Sequence, residues 1–459
     1  MNSGDSRDWS GPSRPQGRYV PARGLYTEAA RLQRLSWLRA RTGAALDSMQ
    51  HTRLDASKLT GNIEGFVGTV EIPIGVAGPL LFCGTHVQGE VYAPMATTEG
   101  ALVSSATRGA LAATMAGGVS THTVSQAMTR APVFAFCRLA DASRFAEAIC
   151  RHLSTLRTVI RQVSDHAVLD SIEPVVLGRT VHLRFRYSTG DAAGQNMTTV
   201  CTWQACQWIL RQPHLVTDEK LESFIIEGNT SGDKKASALA MAEGRGIRVA
   251  ADCHLPAGIV ERVLRTTPDE LVRGYQHIAA GAVHSAVLGS NANTANIVAA
   301  IFTATGQDIA CVHESSVGQF ILERTGDGVY ASMTLPGLAL GTVGGGTHLP
   351  AQHELLKMMG CTGPGSAARL AEIIAGFALA LDLSTVSAAV AGHFASAHER
   401  LGRNRPPVRK VTEQDTAPAT GIESRVDGPS TPTVCGPRPA PVPGLAFDRT
   451  DATPASGGL

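Results

Sequence analysis

No charge of one sign dominates this sequence, in which 40 Lys and Arg stand against 39 Asp and Glu among 459 residues. With no basic face and no basic run interleaved with aromatics, no nucleic-acid partner is expected, and an anionic ligand must be met by a few well-placed cations. The nine cysteines, scattered from Cys83 to Cys435, include no C-x-x-C pair. An odd total over a long chain argues against a disulfide framework and for reduced thiols. Long hydrophobic runs are lacking as well. Ile297–Thr305 and Ile373–Leu381 fall far short of the roughly 20 apolar residues of a membrane span. The polar stretch from Met1 to Arg23 has no apolar core of a secretory signal. A soluble, cytoplasmic protein without a membrane partner is therefore expected. There is no H-E-x-x-H, and His393 and His398 do not share a helical face, so no metal is expected. No G-x-G-x-x-G occurs, which disfavours a Rossmann domain, and no repeat of fixed period is visible.

What is present is an ordinary globular balance, 17% charged and 43% hydrophobic, in a chain long enough for two or three units around a sizeable core. Residues 1–23 and 405–459 have the Pro-, Gly-, Ser- and Thr-rich composition of disordered tails. Between them, 24–55 reads as an amphipathic helix pair with Leu32, Leu35 and Leu38. Residues 66–93 look β-like and turn-rich, and a helix is expected from about Thr98 to Gly117-Gly118. Strand signals at Val133–Phe136, Val175–Val176 and Val181–Tyr187 flank a helical stretch at Arg144–Val163. A helix is read from Asp191 to about Arg211, then others at Asn291–Thr305 and Gly365–His398, with a strand at Val329–Met333.

Four segments set a titratable residue in Gly-rich surroundings. In Ala96-Thr97-Thr98-Glu99-Gly100 a capping Thr pair precedes a carboxylate in the first helical turn, where the dipole favours an anion. Ser231-Gly232-Asp233-Lys234-Lys235 can present ammonium groups to an anion or a developing oxyanion. Thr305-Gly306-Gln307-Asp308 puts a carboxylate after an apolar helix, where burial would demand a cationic or hydrogen-bonding partner. Ala391-Gly392-His393-Phe394-Ala395-Ser396-Ala397-His398 offers two histidines. Taken alone, each reads as easily as a helix start, a solvated turn, a surface loop or a packed residue. Two further segments suit a nucleotide. Gly190-Asp191-Ala192-Ala193-Gly194-Gln195-Asn196-Met197 opens a helix, where free amides suit phosphate. Gly341-Thr342-Val343-Gly344-Gly345-Gly346-Thr347 lets backbone approach a ligand closely.

Taken in order, these segments resemble the 3-hydroxy-3-methylglutaryl-coenzyme A reductase family, in its class I form without a membrane anchor. The likeness is carried by Ile72-Pro-Ile-Gly-Val-Ala-Gly-Pro79, Met95-Ala-Thr-Thr-Glu-Gly100, Met128-Thr-Arg130, Gly190–Met197, Gly232-Asp-Lys-Lys235, Glu243-Gly-Arg-Gly246, Ala304–Asp308, Gly341–Thr347 and His398, from about residue 24 to 404. The resemblance implies an α+β fold: a helix-rich large domain (56–130 and 226–404) with an inserted small ferredoxin-like α/β nucleotide-binding domain (131–225), not a Rossmann fold. It implies reduction of the thioester to mevalonate and coenzyme A with two NADPH, NADH being the alternative, in the mevalonate route to isoprenoids. Lys234 then resembles the lysine that stabilises the carbonyl oxyanion, and Glu99 the proton donor of the aldehyde step. Asp308 matches the aspartate that hydrogen-bonds with both, and His398 the general acid for the departing thiolate. Asn296 matches an asparagine that supports the lysine. Arg130, Asp233 and Lys235 match residues that hold the acyl part, and Ser105 and Arg108 the coenzyme A side. Asp191, Gly194, Asn196, Met197, Gly344, Gly345 and Thr347 match the nicotinamide-nucleotide site. The resemblance further implies a homodimer or homotetramer with the active site between subunits.

The chain departs from the family pattern in places. Glu227 stands where a serine is expected, Gln276 or His277 where a lysine is, and Gly65 where an asparagine is. The positions expected near the cofactor's 2′-phosphate hold Ser164-Asp165-His166, and Asp165 would repel that phosphate. Two other readings stay open on these grounds: a reductase of a different acyl thioester, and a non-catalytic coenzyme A- or nucleotide-binding relative.

Overall fold

The computed structural model describes residues 19–217, 220–395 and 399. His398 and the expected C-terminal tail lie outside the described residues. In chain order the elements are α1 (Glu28–Thr42), β1 (Ile74–Cys83), β2 (Gln88–Ala96), α2 (Leu102–Met115), β3 (Ser120–Arg130), β4 (Val133–Phe136), α3 (Leu139–Ile149), α4 (Leu153–Arg161), β5 (Val168–Leu177), β6 (Thr180–Ser188), α5 (Gln195–Leu210) and β7 (Leu221–Ile225). There follow α6 (Ala238–Ala242), β8 (Gly246–Pro256), α7 (Ala257–Ile259), α8 (Pro268–His284), α9 (Thr294–Thr305), α10 (Val312–Ser315), β9 (Gln319–Arg324), β10 (Gly328–Leu338), α11 (Pro350–Met358) and α12 (Ser366–Val390). The fold is α+β.

β1 and β2 form a hairpin. The other strands make one sheet in the order β7-β4-β6-β3-β8-β10-β9, with β5 on β6. β3 joins its two halves: Ser120–Ala127 pairs with β8, while Met128–Arg130 crosses to β6. β4 takes up the same edge of β6 at Val133. The residue that ends β3, Arg130, therefore sits at the seam between the halves.

The core is built around α12. Its residues from Leu370 to Ser384 are buried on every side, which suits a helix enclosed by other elements. By length and composition α12 could cross a membrane, a reach that the apolar run Ile373–Leu381 alone does not suggest, but 89% of its most apolar window is buried here. Two carboxylates in α12 are wholly buried and hold main chain of other segments. Asp382 accepts from the amides of Ala292 and Asn293, at 2.9 and 2.8 Å. Glu372 accepts from the His86 amide at 2.9 Å.

Several elements start or stop where main-chain partners override helix signals. Instead of a helix pair, residues 24–55 hold α1, stopped at left-handed Gly43, and a 3-10 turn at Asp47–Met49. Its inward face carries Arg31 and Arg34, which donate to the carbonyls of Met49, Val67 and Phe66, while Leu32 is exposed. α2 begins at Leu102 and not at Thr98. The Thr97 amide extends the β2 edge to the Pro73 carbonyl, and Thr97 Oγ1 accepts the Glu99 amide. Glu99 is thus in a loop before the helix and not in its first turn. α5 begins at Gln195, because the segment before it is tied to the 341–343 loop through Ala192 and Val343.

Candidate active site

The first cleft, about 900 Å3, lies over the end of α9. Its wall includes Arg130, Asp233, Lys234, Asp308, Gly194, Asn196, Met197, Gly344, Gly345 and Thr347. The lysine loop follows β7 and is gripped at each step. Glu227 turns inward and accepts from the Asn229 amide and the Ser231 hydroxyl, at 2.9 and 3.0 Å. Thr129 Oγ1 donates to the Ser231 carbonyl at 2.7 Å. Asp233 lies between two guanidiniums, 2.9 Å from Arg130 Nη1 and 3.0 Å from Arg245 Nη2. Lys234 then adopts φ 57, a left-handed conformation that costs a non-glycine residue about 1–3 kcal/mol and persists only where the surroundings hold it.

The ammonium of Lys234 reaches Asp308, with Nζ 3.0 Å from Oδ2. The hydrogen bond to Asp308 holds the Lys234 pKa above its ordinary value, against the opposing pull of burial. Burial pushes Asp308 up, but Lys234, the Ala310 amide and the Gln195 side chain together outweigh it and hold the carboxyl below its usual range. Both side chains keep over a third of their surface exposed, so the pair contributes little to stability, at most about 1 kcal/mol. Its effect is a fixed, fully ionised cation facing a cleft. Lys235 lies outside the cleft lining, with Nζ donating to the Asp233 carbonyl.

The glycine loops meet beside this pair. Gly194, at φ 75, caps α5, whose free amides open into the cleft. A Cβ on Gly341 would strike the backbone of Ala192 and Ala193, so only glycine lets the two loops close. Gln307, 8% exposed, binds both the Gly341 amide and carbonyl and so locks the 341–347 loop to the turn carrying Asp308. Asp191 is not part of the cleft wall. Its carboxylate accepts the Gly365 and Ala367 amides at 2.9 and 2.8 Å, because the start of α12 supplies donors that an anion satisfies well. Asn62 donates to the Gly345 carbonyl at 2.8 Å, which brings the segment from Leu54 to Thr69 over the loop. The Ser164 hydroxyl meets Met197 Sδ at 3.2 Å, so Asp165 follows directly on a residue that touches the cleft wall.

A second cleft, about 690 Å3, lies at the other end of α9 and holds Glu99, Ser105, Arg108, Asn296, His393, Arg262 and Arg265. Asn296 Nδ2 donates to both oxygens of Glu99 at 3.2 Å. Ser105 and Arg108 share Ser384, with Oγ to Oγ 2.8 Å and Nε to Oγ 3.0 Å. Burial lowers the Arg108 pKa, yet a guanidinium remains a cation at any working pH.

Within one chain the expected constellation is therefore split. Asp308 meets Lys234 but not Glu99, and Asn296 meets Glu99 but not Lys234. The physical reason is α9: Asn296 lies in its first turn and Asp308 just past its C-terminal end, and the twelve residues of the helix span about 18 Å,. Gln276 and His277 are exposed on α8 and line neither cleft. Sequence reasoning assigned no role to Gln195, Gln307, Arg245, Arg262, Arg265 or Glu314. Gln195, Arg245 and Gln307 lie inside the motifs quoted above, but Glu314 lies in none.

A fixed ammonium–carboxylate pair beside nucleotide-suited glycine loops, with a hydrogen-bonded carboxylate in a second cleft, suits the chemistry of an oxidoreductase that reduces a carbonyl group,. Comparison with known proteins makes this specific. The family model for hydroxymethylglutaryl-coenzyme A reductase matches residues 30–403. A 3-hydroxy-3-methylglutaryl-coenzyme A reductase of Aeropyrum pernix is 43% identical over 389 residues, covering 83% of this chain and 91% of the relative. One from Pyrococcus abyssi is 40% identical over 375 residues, covering 80% and 91%. The solved class II reductase of Streptococcus pneumoniae, bound to NADPH in open conformations, superposes with a TM-score of 0.57 at 18% identity, covering 72% of this chain and 78% of that one. This last likeness speaks for the fold. The chain belongs to the hydroxymethylglutaryl-coenzyme A reductase family.

Proposed function

We propose that this protein reduces 3-hydroxy-3-methylglutaryl-coenzyme A to mevalonate and free coenzyme A with two NADPH, NADH being the alternative donor, in the cytoplasm. The observation that carries the reading is the Lys234–Asp308 pair, 3.0 Å apart, on the wall shared with the glycine loops. Each of the two reductions puts negative charge on the carbonyl oxygen, and a fixed cation there lowers the barrier. Asp308 keeps Lys234 protonated through both. Glu99 supplies the proton of the aldehyde step, and His398 protonates the thiolate as it leaves. No metal is required. Arg130, Asp233 and Lys235 hold the acyl end. Ser105 and Arg108, joined by Arg262 and Arg265 at the second cleft, face the phosphates of coenzyme A.

The residues fit a nicotinamide nucleotide, which when bound supplies hydride. The close-set Gly341 and Ala192–Ala193 backbones and the α5 amides form a cradle for phosphate. We read β4 to β7 as the ferredoxin-like unit inserted in the large domain. Support comes from its β-α-β-β-α-β order and its antiparallel strands, β7-β4-β6-β5,. Asp165 disfavours the 2′-phosphate, so NADH competes well as donor.

The active site forms between two copies of the chain, Glu99 of one facing Lys234 of the other. The split along α9 supports this, as do exposed apolar residues at Ile74, Val76 and Tyr92 on the β1–β2 hairpin, at Ile278 and Val283 on α8, and at Val287 just after it. The test is loss of reduced-cofactor absorbance on mixing the protein with 3-hydroxy-3-methylglutaryl-coenzyme A, with NADPH and NADH in parallel. Two cofactors oxidised per thioester are expected. No oxidation with either cofactor would reject the reading.

A further inference from the structure

We propose that Glu314, acting with Arg245, is a positioning residue that holds the main chain of Lys234 in its working conformation. The inference rests on reading Lys234 as the cation that faces the carbonyl oxygen.

Lys234 is held from two directions by one short stretch of chain. Its side-chain end is fixed by Asp308, whose other oxygen caps the 3-10 turn Ile309–Cys311 through the Ala310 amide at 3.1 Å. Directly after that turn, α10 carries Glu314. Its carboxylate lies beneath the main chain of the lysine loop, and Oε1 accepts from Arg245 Nη1 at 2.6 Å. Both side chains of this pair are 1% exposed. Arg245 Nη2 continues to Asp233, the residue before Lys234, and Asp233 is also held by Arg130. A buried carboxylate, Glu314, and a partly exposed one, Asp233, thus alternate with two buried guanidiniums under the loop. Burial pushes the Glu314 pKa up, while the Arg245 guanidinium and the Lys234 amide pull it back toward the charged form, and Oε2 has no partner of full hydrogen-bond geometry among the described residues. Ser315, next along, anchors α10 to the Ala339 amide at 3.0 Å, so the platform is rigid.

Stability does not explain such a pair, because replacing a buried ion pair by apolar side chains of similar volume is often neutral or stabilising. A non-glycine residue held in the left-handed region does explain it. Without the Glu314 charge, Arg245 turns wholly to Asp233, the grip of Arg130 on Asp233 loosens, and the turn at Lys234 relaxes. The ammonium then leaves the point where it meets the substrate oxygen, although substrate and cofactor still bind.

The test uses the full-length protein with Glu314→Gln, with the double variant Arg245→Met/Glu314→Leu, and with Lys234→Ala run alongside, reading kcat, both KM values and the melting temperature. Glu314→Gln should lower kcat about 10–100-fold with each KM within about threefold, the signature of an interaction made chiefly in the transition state. The double variant should regain the melting temperature but not kcat. If the double variant regains both, the pair serves stability alone and the proposal falls. If Lys234→Ala is inactive while Glu314→Gln keeps kcat within twofold, the proposal falls and the reading of Lys234 stands. If Lys234→Ala keeps full activity, that reading fails first and takes the proposal with it.

Discussion

The two clefts at the ends of α9 hold their functional charges by opposite means. At the C-terminal end, Lys234 stands on a frame of ion pairs, Arg130–Asp233–Arg245–Glu314, and its ammonium is matched by Asp308. At the N-terminal end, Glu99 sits in a loop and is held by one neutral amide, from Asn296. No cation in the chain is paired with it among the described residues. The first cleft is complete as a single chain folds. The second presents a carboxylate whose counterpart, on the two-chain site proposed above, comes from another copy. A cation meant to stabilise charge in every turnover is worth fixing in advance. A carboxylate that must gain and lose a proton is better left lightly held.

The comparison can be broken most severely at Lys234. Lys234→Ala should lower kcat at least about 10^3-fold, near the upper end for losing an oxyanion-stabilising donor, as read from cofactor absorbance. Glu99→Gln should follow, with aldehyde reduction slowed about 10^2–10^4-fold, the range for general acid catalysis. Mixing these two inactive chains and allowing them to exchange should restore about a quarter of wild-type activity if each site draws on both subunits of a two-fold dimer. No recovery would place the whole site within one chain.

Asp308→Asn sharpens the comparison through pH. Asp308 holds the Lys234 pKa up, so the variant's ammonium should be lost at a lower pH, moving the alkaline limb of the kcat profile down. The sign for stability follows from the same shifts. The Lys234 contribution is present below its unfolded pKa and lost as pH rises through the folded one. The Asp308 contribution is present above its unfolded pKa and lost as pH falls through the folded one. Both should be small in thermal melts, given their exposure.

The smallest expected effect on chemistry lies under α9, at Asp382. Full burial raises its pKa to about 6 from 3.8, against two backbone amides. A raised acid favours the folded state at low pH and disfavours it as the group ionises. Wild type should therefore lose up to about 3 kcal/mol relative to Asp382→Asn between pH 4 and 6. Melts of both proteins across that range check it, and a difference independent of pH would show that Asp382 does not titrate there.

Much of the chemistry was legible in the sequence because it is local. Gly232–Lys235, Thr305–Asp308 and the two glycine segments declare a cation, a carboxylate and close-approaching backbone over a few residues each. The strands at 133–136 and 181–187 and the helix at 294–305 show in the same way, through short-range patterning. Neighbours decided where the local signal misled. Thr97 and Thr98 read as a helix cap, but the β2 edge takes the Thr97 amide and leaves Glu99 in a loop. Asp191 reads as a nucleotide ligand, but the start of α12, far along the chain, takes its carboxylate. Glu227 reads as a changed substrate contact, but its own loop uses it as a brace.

The sequence by itself determined which side chains are able to do chemistry and where backbone can approach closely, since those properties belong to residue types and short spacings. Only the tertiary structure decided which of them meet. Whether Asp308 finds Lys234 or Glu99 depends on α9, a rigid rod of roughly 18 Å that keeps the two clefts apart. The partner that fixes Lys234 from below, Glu314, is 80 residues away in the chain. No local pattern encodes a contact that exists only once β8, α9 and α10 have packed against one another.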